Sequence, residues 1–248
     1  MASDSPSPKA VIFDLDDTLY DHLHSARYGL IELAKRYPPM QSVSIPELED
    51  RYSDALESIH LRLLRGEVDQ TTARIVRMQQ LFASFEIEVT AQTAFSEYKR
   101  FRADYDSASQ VVAGTHDLLR QLAARNIRLA IITNNMVSEQ WPKLAQLNLT
   151  QYFEVVSISE EVGASKPDRR IFDVTLNRLS LNVNDVVMVG DSLTSDIAGA
   201  IDIGMQCVWV NRRPDRVATA PPNVATIARD FSDVKSVIHT ILATAESA

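Results

Sequence analysis

The sequence predicts an α/β fold: a parallel sheet covered by helices on both faces, three layers in all, with an inserted stretch that is helical throughout. Three observations predict it. Short apolar runs with β-branched members, such as Ala10-Val-Ile-Phe13 and Val186-Val-Met-Val189, read as strands buried on both faces, the pattern of a sheet flanked by helices. After residue 109 such runs alternate with helical stripes, and repeated strand-helix units demand right-handed crossovers between parallel strands. Between Tyr20 and about Ser109 the alternation stops, and apolar residues recur only at helical intervals. The expected division is a catalytic core of residues 1–19 and 110–248 and a helical cap of residues 20–109.

Taken in order, the strand at 10–13 runs into the acidic stretch Asp14-Leu-Asp16-Asp17-Thr18. In the insert, Ser44-Ile-Pro-Glu47 has capping-box spacing and starts a helix whose stripe is Leu48, Tyr52, Ala55, Ile59 and Leu63. Ile75, Met78, Phe82 and Phe85 form a second stripe, and Thr90 precedes a third through Ala94, Tyr98 and Phe101. These stripes read as the insert's own core rather than as a ligand box. The alternation then gives a helix over 115–125, a strand over 127–132, a helix over 138–147 and a strand over 153–158. A loop carrying Lys166 follows, then a helix over 168–179, a strand over 186–189, a helix over 195–203 and a strand over 207–210. Residues 212–223, rich in Pro and Arg, read as an exposed connection, and 233–245 as a terminal helix. Only the Ser/Pro-rich start reads as disordered.

Composition bounds the function. With 248 residues and 45% hydrophobic content, the chain can bury a full core. No stretch reaches the ~18 apolar residues of a membrane span, and residues 1–9 lack the apolar centre of a signal peptide, so no membrane association and a cytoplasmic location are expected. The net charge of -8 disfavours a nucleic acid polymer as partner. One cysteine, Cys207, excludes an internal disulfide and sits in the apolar run Cys207-Val-Trp-Val210 as a packed strand residue. The five histidines do not cluster, which argues against zinc.

Four polar segments stand at strand or loop ends, where open parallel sheets bind ligands. Asp14 and Asp16 follow the first strand. Thr133 and Asn134 end the run Arg128-Leu-Ala-Ile-Ile. Lys166 lies in the loop Gly163-Ala-Ser-Lys-Pro-Asp168, and Asp191 and Asp196 follow Val189-Gly190. Each has a bland reading: an Asp pair as turn or helix cap, Thr133 as a residue at a helix start, Lys166 as a solvated charge. Capping accounts well for Asp168 and Asp117 but not for Asp14, Asp16 and Asp191 together.

The order Asp14-x-Asp16-x-Thr18, Thr133, Lys166, Gly190-Asp191-x-x-x-x-Asp196 resembles the four motifs of the haloacid dehalogenase (HAD) superfamily, over roughly residues 9 to 240. The resemblance implies a Rossmann-like, HAD-like core with a type 1 helical cap, and Ile158 to Asp168 with Gly190 to Ile197 are similar to the nucleotidase and N-acylneuraminate-9-phosphatase-like branch. It implies Asp14 as nucleophile and Asp16 as general acid/base. Thr133 and Lys166 would hold the phosphoryl group, with the backbone after Asp14 at Leu15 and Asp16, and Asn134, near the phosphate. A Mg2+ site would be formed by Asp14, Asp191, the backbone carbonyl of Asp16 and, on its waters, Asp196. Asn135 and Asn126 replace glycines common in relatives, and asparagine tolerates the left-handed conformation there.

The expected activity is hydrolysis of a small phosphorylated metabolite, a nucleoside monophosphate or a sugar phosphate, by a monomer or homodimer. The competing activities are phosphomutase, haloacid dehalogenase and a binding protein on a retired scaffold; dehalogenases lack the acid at the position of Asp16. His22, His24, Asn135, Met136, Arg62, Arg65, Lys99, Arg100 and Arg102 are candidates for substrate contact, each equally readable as a surface residue.

Overall fold

The computed structural model describes residues 8–213 and 219–245. Strand β1 (Ala10–Phe13) is followed by helices α1 (His22–Ala34), α2 (Pro38–Gln41), α3 (Ile45–Leu64), α4 (Gln70–Ala83) and α5 (Ala91–Ser107). Then come α6 (Thr115–Ala123), β2 (Arg128–Thr133), α7 (Val137–Gln146), β3 (Val155–Ile158), α8 (Ser159–Val162) and α9 (Arg169–Leu179). The chain ends with β4 (Val186–Gly190), a π-helical turn Leu193–Ile197 running into α10 (Ala198–Asp202), β5 (Gln206–Asn211), β6 (Ala225–Ala228) and α11 (Val234–Ala245). The described residues fall into two compact units, one drawn from Met1–Asp21 with Val111–Ala248, the other His22–Gln110.

The first unit is built on a six-stranded parallel sheet of order β3-β2-β1-β4-β5-β6. All four residues of β1 are fully buried, as its unbroken apolar run requires. Strand alternation sends Ala10 and Ile12 to one face, where they join Ile132, Met188, Phe172 of α9 and Ala200 of α10 in a single apolar cluster. α6 packs on β2 and α11 on β4 and β5. From β1 the chain builds outward through β2 and β3, then returns to lay β4 on the other side of β1. The reversal leaves the crevice of a doubly wound sheet at the carboxyl ends of β1 and β4. The chain leaves this unit at Asp21 and re-enters at Val111, and the two passages are joined by the Tyr20–Val111 bridge and the Val112 N–H donating to Leu19 O at 2.8 Å.

Three expectations need correction. The strand β6 was not anticipated: its four residues form one edge of the sheet, too short a run to stand out from the connection before it. Arg212 is not on an exposed connection; its guanidinium is largely buried and pairs with Asp21 at 2.7 Å. Residues 214–218 of that connection, and residues 1–7 of the Ser/Pro-rich start, lie outside the described residues. Among the asparagines, Asn126 is left-handed at φ 60°, whereas Asn135 is not and instead accepts the Met136 N–H on its own Oδ1 at 2.8 Å.

The second unit is all helical. Its core joins Leu30 and Leu33 of α1, Met78, Leu81 and Phe82 of α4, and Ala94 and Phe101 of α5. Gly29 allows α1 and α5 to approach, since a Cβ there would stand 2.8 Å from the Phe101 ring. Ser44 and Thr90 cap their helices, each Oγ accepting the N–H three residues on, while the Glu47 carboxylate of the Ser44 box pairs with Arg51. Two helices at the start, α1 and α2, extend the pattern upstream of the stripes.

Candidate active site

Asp14 follows β1 directly, and its N–H still donates to Val189 O of β4 at 2.9 Å, so the sheet ladder itself places the carboxyl. The chain then winds into a tight loop. Leu15 O accepts from the N–H groups of Leu19 and Tyr20 at 3.0 and 2.8 Å, and Asp17 is left-handed at φ 61°. Asp191 follows Gly190 at the end of β4, and the π-helical turn brings Asp196 back over that glycine. A Cβ on Gly190 would stand 2.4 Å from Asp196 Oδ2, so only glycine leaves room for the carboxylate. The Ser192 N–H donates to Asp196 Oδ2 at 3.0 Å, Trp209 Nε1 to Asp191 O at 2.8 Å, and the Thr18 hydroxyl lies 3.5 Å from Asp191 Oδ1.

Asp14, Asp191 and Asp196 form one group, with a carboxylate oxygen from each lying within 4.8 Å of the others. Lys166 enters it from the loop after α8. Its ammonium donates to Asp14 Oδ1 and, at 2.9 Å, to Ile132 O, and lies 2.7 Å from Asp196 Oδ1 without the alignment of a hydrogen bond. That Asp196 oxygen is buried with no hydrogen-bond partner. The loop is held by Asn134, whose Nδ2 donates to Lys166 O at 2.8 Å and whose Oδ1 accepts from Lys166 N–H at 2.7 Å. The Asn134 side chain thus braces the lysine's backbone from both its amide atoms.

The electrostatics follow from crowding in a dry place. Burial, above all, pushes the Asp14 carboxyl up to about 7; Lys166 opposes the shift, and Asp196 and Asp16 add to it. Asp191 is raised well above the carboxylate range by burial and by Asp14, Asp17 and Asp196. Burial works against the Lys166 charge, but Asp14 and Asp196 outweigh it and hold the ammonium above its ordinary value. Three carboxylates facing one ammonium leave an excess of negative charge. Such a donor set suits a hard divalent cation.

Asp16 points elsewhere. Its Oδ1 accepts from Lys143 Nζ at 2.5 Å and its Oδ2 from Gln140 Nε2 at 2.7 Å, so its side chain is outside the carboxylate group. Gln140 Nε2 also reaches Thr133 Oγ1 at 2.7 Å. Leu15 is wholly buried. Sequence reasoning missed Gln140 and Lys143. Their signal was present: with Leu144 and Leu147 they share one helical stripe, and polar residues at core-facing positions need a reason.

Other candidates have local partners. His22 and His24 begin α1 rather than a linker, and His22 Nδ1 lies 2.7 Å from the Tyr105 hydroxyl. Arg62 and Arg65 pair with Glu67, Arg100 with Glu97 and Arg102 with Asp106, while Lys99 stands over the Phe95 ring. Asp168 caps α9, accepting the Arg170 N–H at 2.9 Å; Asp117 lies in the first turn of α6 and pairs with Arg120. Cys207 is buried, and burial pushes its thiol up to about 11. No helix among the described residues is long and apolar enough to cross a membrane.

A family model described as haloacid dehalogenase-like hydrolase matches residues 8–204. Glyceraldehyde 3-phosphate phosphatase of Methanothermobacter thermautotrophicus is 28% identical over 244 residues, covering 93% of this chain and 99% of its own. Pyrimidine 5'-nucleotidase PynA of Streptococcus pneumoniae is 29% identical over 205 residues, 82% of this chain and 84% of its own. The magnesium-bound crystal structure of the HAD-hydrolase YfnB from Bacillus subtilis shares the fold with a TM-score of 0.72 at 22% identity, covering 94% and 99% of the two chains. With its four motifs gathered at the carboxyl ends of the sheet and a matching family model over most of its length, the chain belongs to the haloacid dehalogenase-like hydrolases.

Proposed function

We propose that this protein hydrolyses small phosphate monoesters in two steps through an aspartyl-phosphate on Asp14, with Asp16 as general acid and base. Its activity is that of a HAD-type phosphoric monoester hydrolase. The observation that carries the residue assignments is the pairing of a buried Asp14 with the Lys166 ammonium inside a group of three carboxylates, while a second acid, Asp16, stands two residues away in a separate polar setting.

Asp14, Asp191 and the backbone carbonyl of Asp16 would hold a magnesium ion, with Asp196 supporting it. Bound there, the ion supplies neutralisation of the phosphate dianion's charge. Asp14 attacks phosphorus: the carboxylate oxygen–phosphorus bond forms and the bond to the alcohol oxygen breaks, with Asp16 giving that oxygen a proton. Asp16, now a carboxylate, takes a proton from water as the water oxygen attacks phosphorus, which releases inorganic phosphate and restores Asp14. Lys166 and the Thr133 hydroxyl donate to the phosphoryl oxygens as charge develops. The helical unit would have the role of the cap that the resemblance implies. Asp16 weighs against dehalogenation, which needs no proton at that position.

The substrate class is a nucleoside monophosphate or a sugar or triose phosphate, the range named in the relatives. Phosphate release from a panel of such esters, with magnesium or with chelator, tests the reading in wild type and Asp14→Asn. Release is expected to need both magnesium and Asp14; a tenth of the wild-type rate surviving in Asp14→Asn would refute covalent catalysis by that residue.

A further inference from the structure

We propose that Lys143 and Gln140 are positioning residues: from one face of α7 they orient the Asp16 carboxylate and tie it to Thr133, so that groups from two different strands act on one substrate. The inference rests on the proposed role of Asp16. Asp16 lies in a loop beside a left-handed residue, with its side chain about one quarter exposed, so the orientation of its carboxylate is not set by the backbone alone. Its two oxygens are instead divided between two donors, Oδ1 to Lys143 Nζ and Oδ2 to Gln140 Nε2, a pairing that fixes rotation as well as distance.

Both donors are three residues apart and therefore on one helix face. Both are buried. Lys143 also stands 4.9 Å from the centre of the Tyr20 ring, at the far end of the same loop, so the ammonium is itself held in place from the loop it grips. Gln140 Nε2 uses its second hydrogen on Thr133 Oγ1, linking the end of β2 to the loop after β1.

Stability alone does not explain these residues. A buried ion pair is weak evidence for stability, because apolar side chains of similar volume often serve the fold as well. Gln140 is wholly buried and its Oε1 has no hydrogen-bond partner, a cost that a methionine would avoid. What methionine would lose is the Nε2 that meets Asp16 and Thr133 together. An acid/base group displaced by about 1 Å can cost ~10²-fold in rate.

The test is a double-mutant cycle on the full chain with magnesium, using the best ester of the panel. Lys143→Met is expected to lower kcat tenfold to hundredfold with KM within about threefold, and Asp16→Asn to lower it further still. Because Lys143 acts through Asp16, adding Lys143→Met to Asp16→Asn should change kcat less than twofold. Gln140→Met should behave differently: part of its loss should persist in the Asp16→Asn background, since it also holds Thr133. Thermal melts by circular dichroism establish that each variant is folded, and if Lys143→Met does not fold, the Gln140→Met cycle decides.

A folded Lys143→Met within twofold of wild type, or one whose loss adds in full to that of Asp16→Asn, overturns the proposal while leaving the phosphatase reading intact. A wild type without turnover refutes that reading and this inference with it.

Discussion

At the scale of single residues, the site is a problem of charge placed where water is scarce. Asp14, the proposed nucleophile, is both buried and crowded: it meets Lys166, yet burial still leaves its carboxyl up at about 7. The folded value lies above the ordinary 3.8, so the fold favours the neutral form. That stabilising contribution is complete below about pH 4 and is lost as pH rises through about 7. In chelator, melting temperatures of wild type should therefore fall relative to Asp14→Asn between pH 4 and pH 8; parallel curves would show that Asp14 titrates near its ordinary value. On activity, Asp14→Asn is expected to leave less than about one thousandth of the turnover, checked by phosphate release.

At the scale of elements, strand ends and the turns that follow them do the placing. β1 and β4 lie side by side, in register from Ala10 with Val186 to Phe13 with Val189, so Asp14 and Asp191 leave the sheet as near neighbours. The π-helical turn after β4 then folds Asp196 over Gly190, where a methyl group would collide with it. Gly190→Ala is expected to cost ~1–3 kcal/mol of stability and to disturb Asp196, seen as a lower midpoint in urea together with weaker magnesium binding. An unchanged midpoint would mean that the turn relaxes freely. α7 acts at the same scale, its Gln140 and Lys143 turning a core-facing stripe into a second polar wall.

For the whole molecule, the strand order matters more than any one contact. The reversal between β3 and β4 brings residues separated by more than 170 positions, Asp14 and Asp191, to one crevice. Three clustered carboxylates, Asp14 and Asp196 buried and Asp191 half-buried, balanced by one lysine, suit the folded state to bind a divalent cation in the proposed reading. Magnesium at a hundredfold over its dissociation constant should stabilise the protein by about 2.7 kcal/mol, read as a rise in melting temperature. The rise should disappear in Asp191→Asn. A rise that survives the substitution would place the cation elsewhere.

Much of this was legible in the chain. The strands β1 to β5 were visible because buried strands must be apolar along their whole length, and the helical insert because its apolar spacing changes period. Asp14, Thr133 and Asp191 were visible as polar residues where those runs stop, and Lys166 as the lysine of a loop after one of them. β6 was not, because four residues at a sheet edge carry little pattern, and neither were the partners of Asp16. The sequence by itself determined which side chains carry charge and chemistry, and the local periodicity that puts them at the ends of elements. Only the tertiary structure decided which of them meet. Contact across a parallel sheet depends on strand order, and strand order is set by how all the apolar faces are buried together. That is why Lys143 became a partner of Asp16, and why the Asn134 side chain became a brace for Lys166.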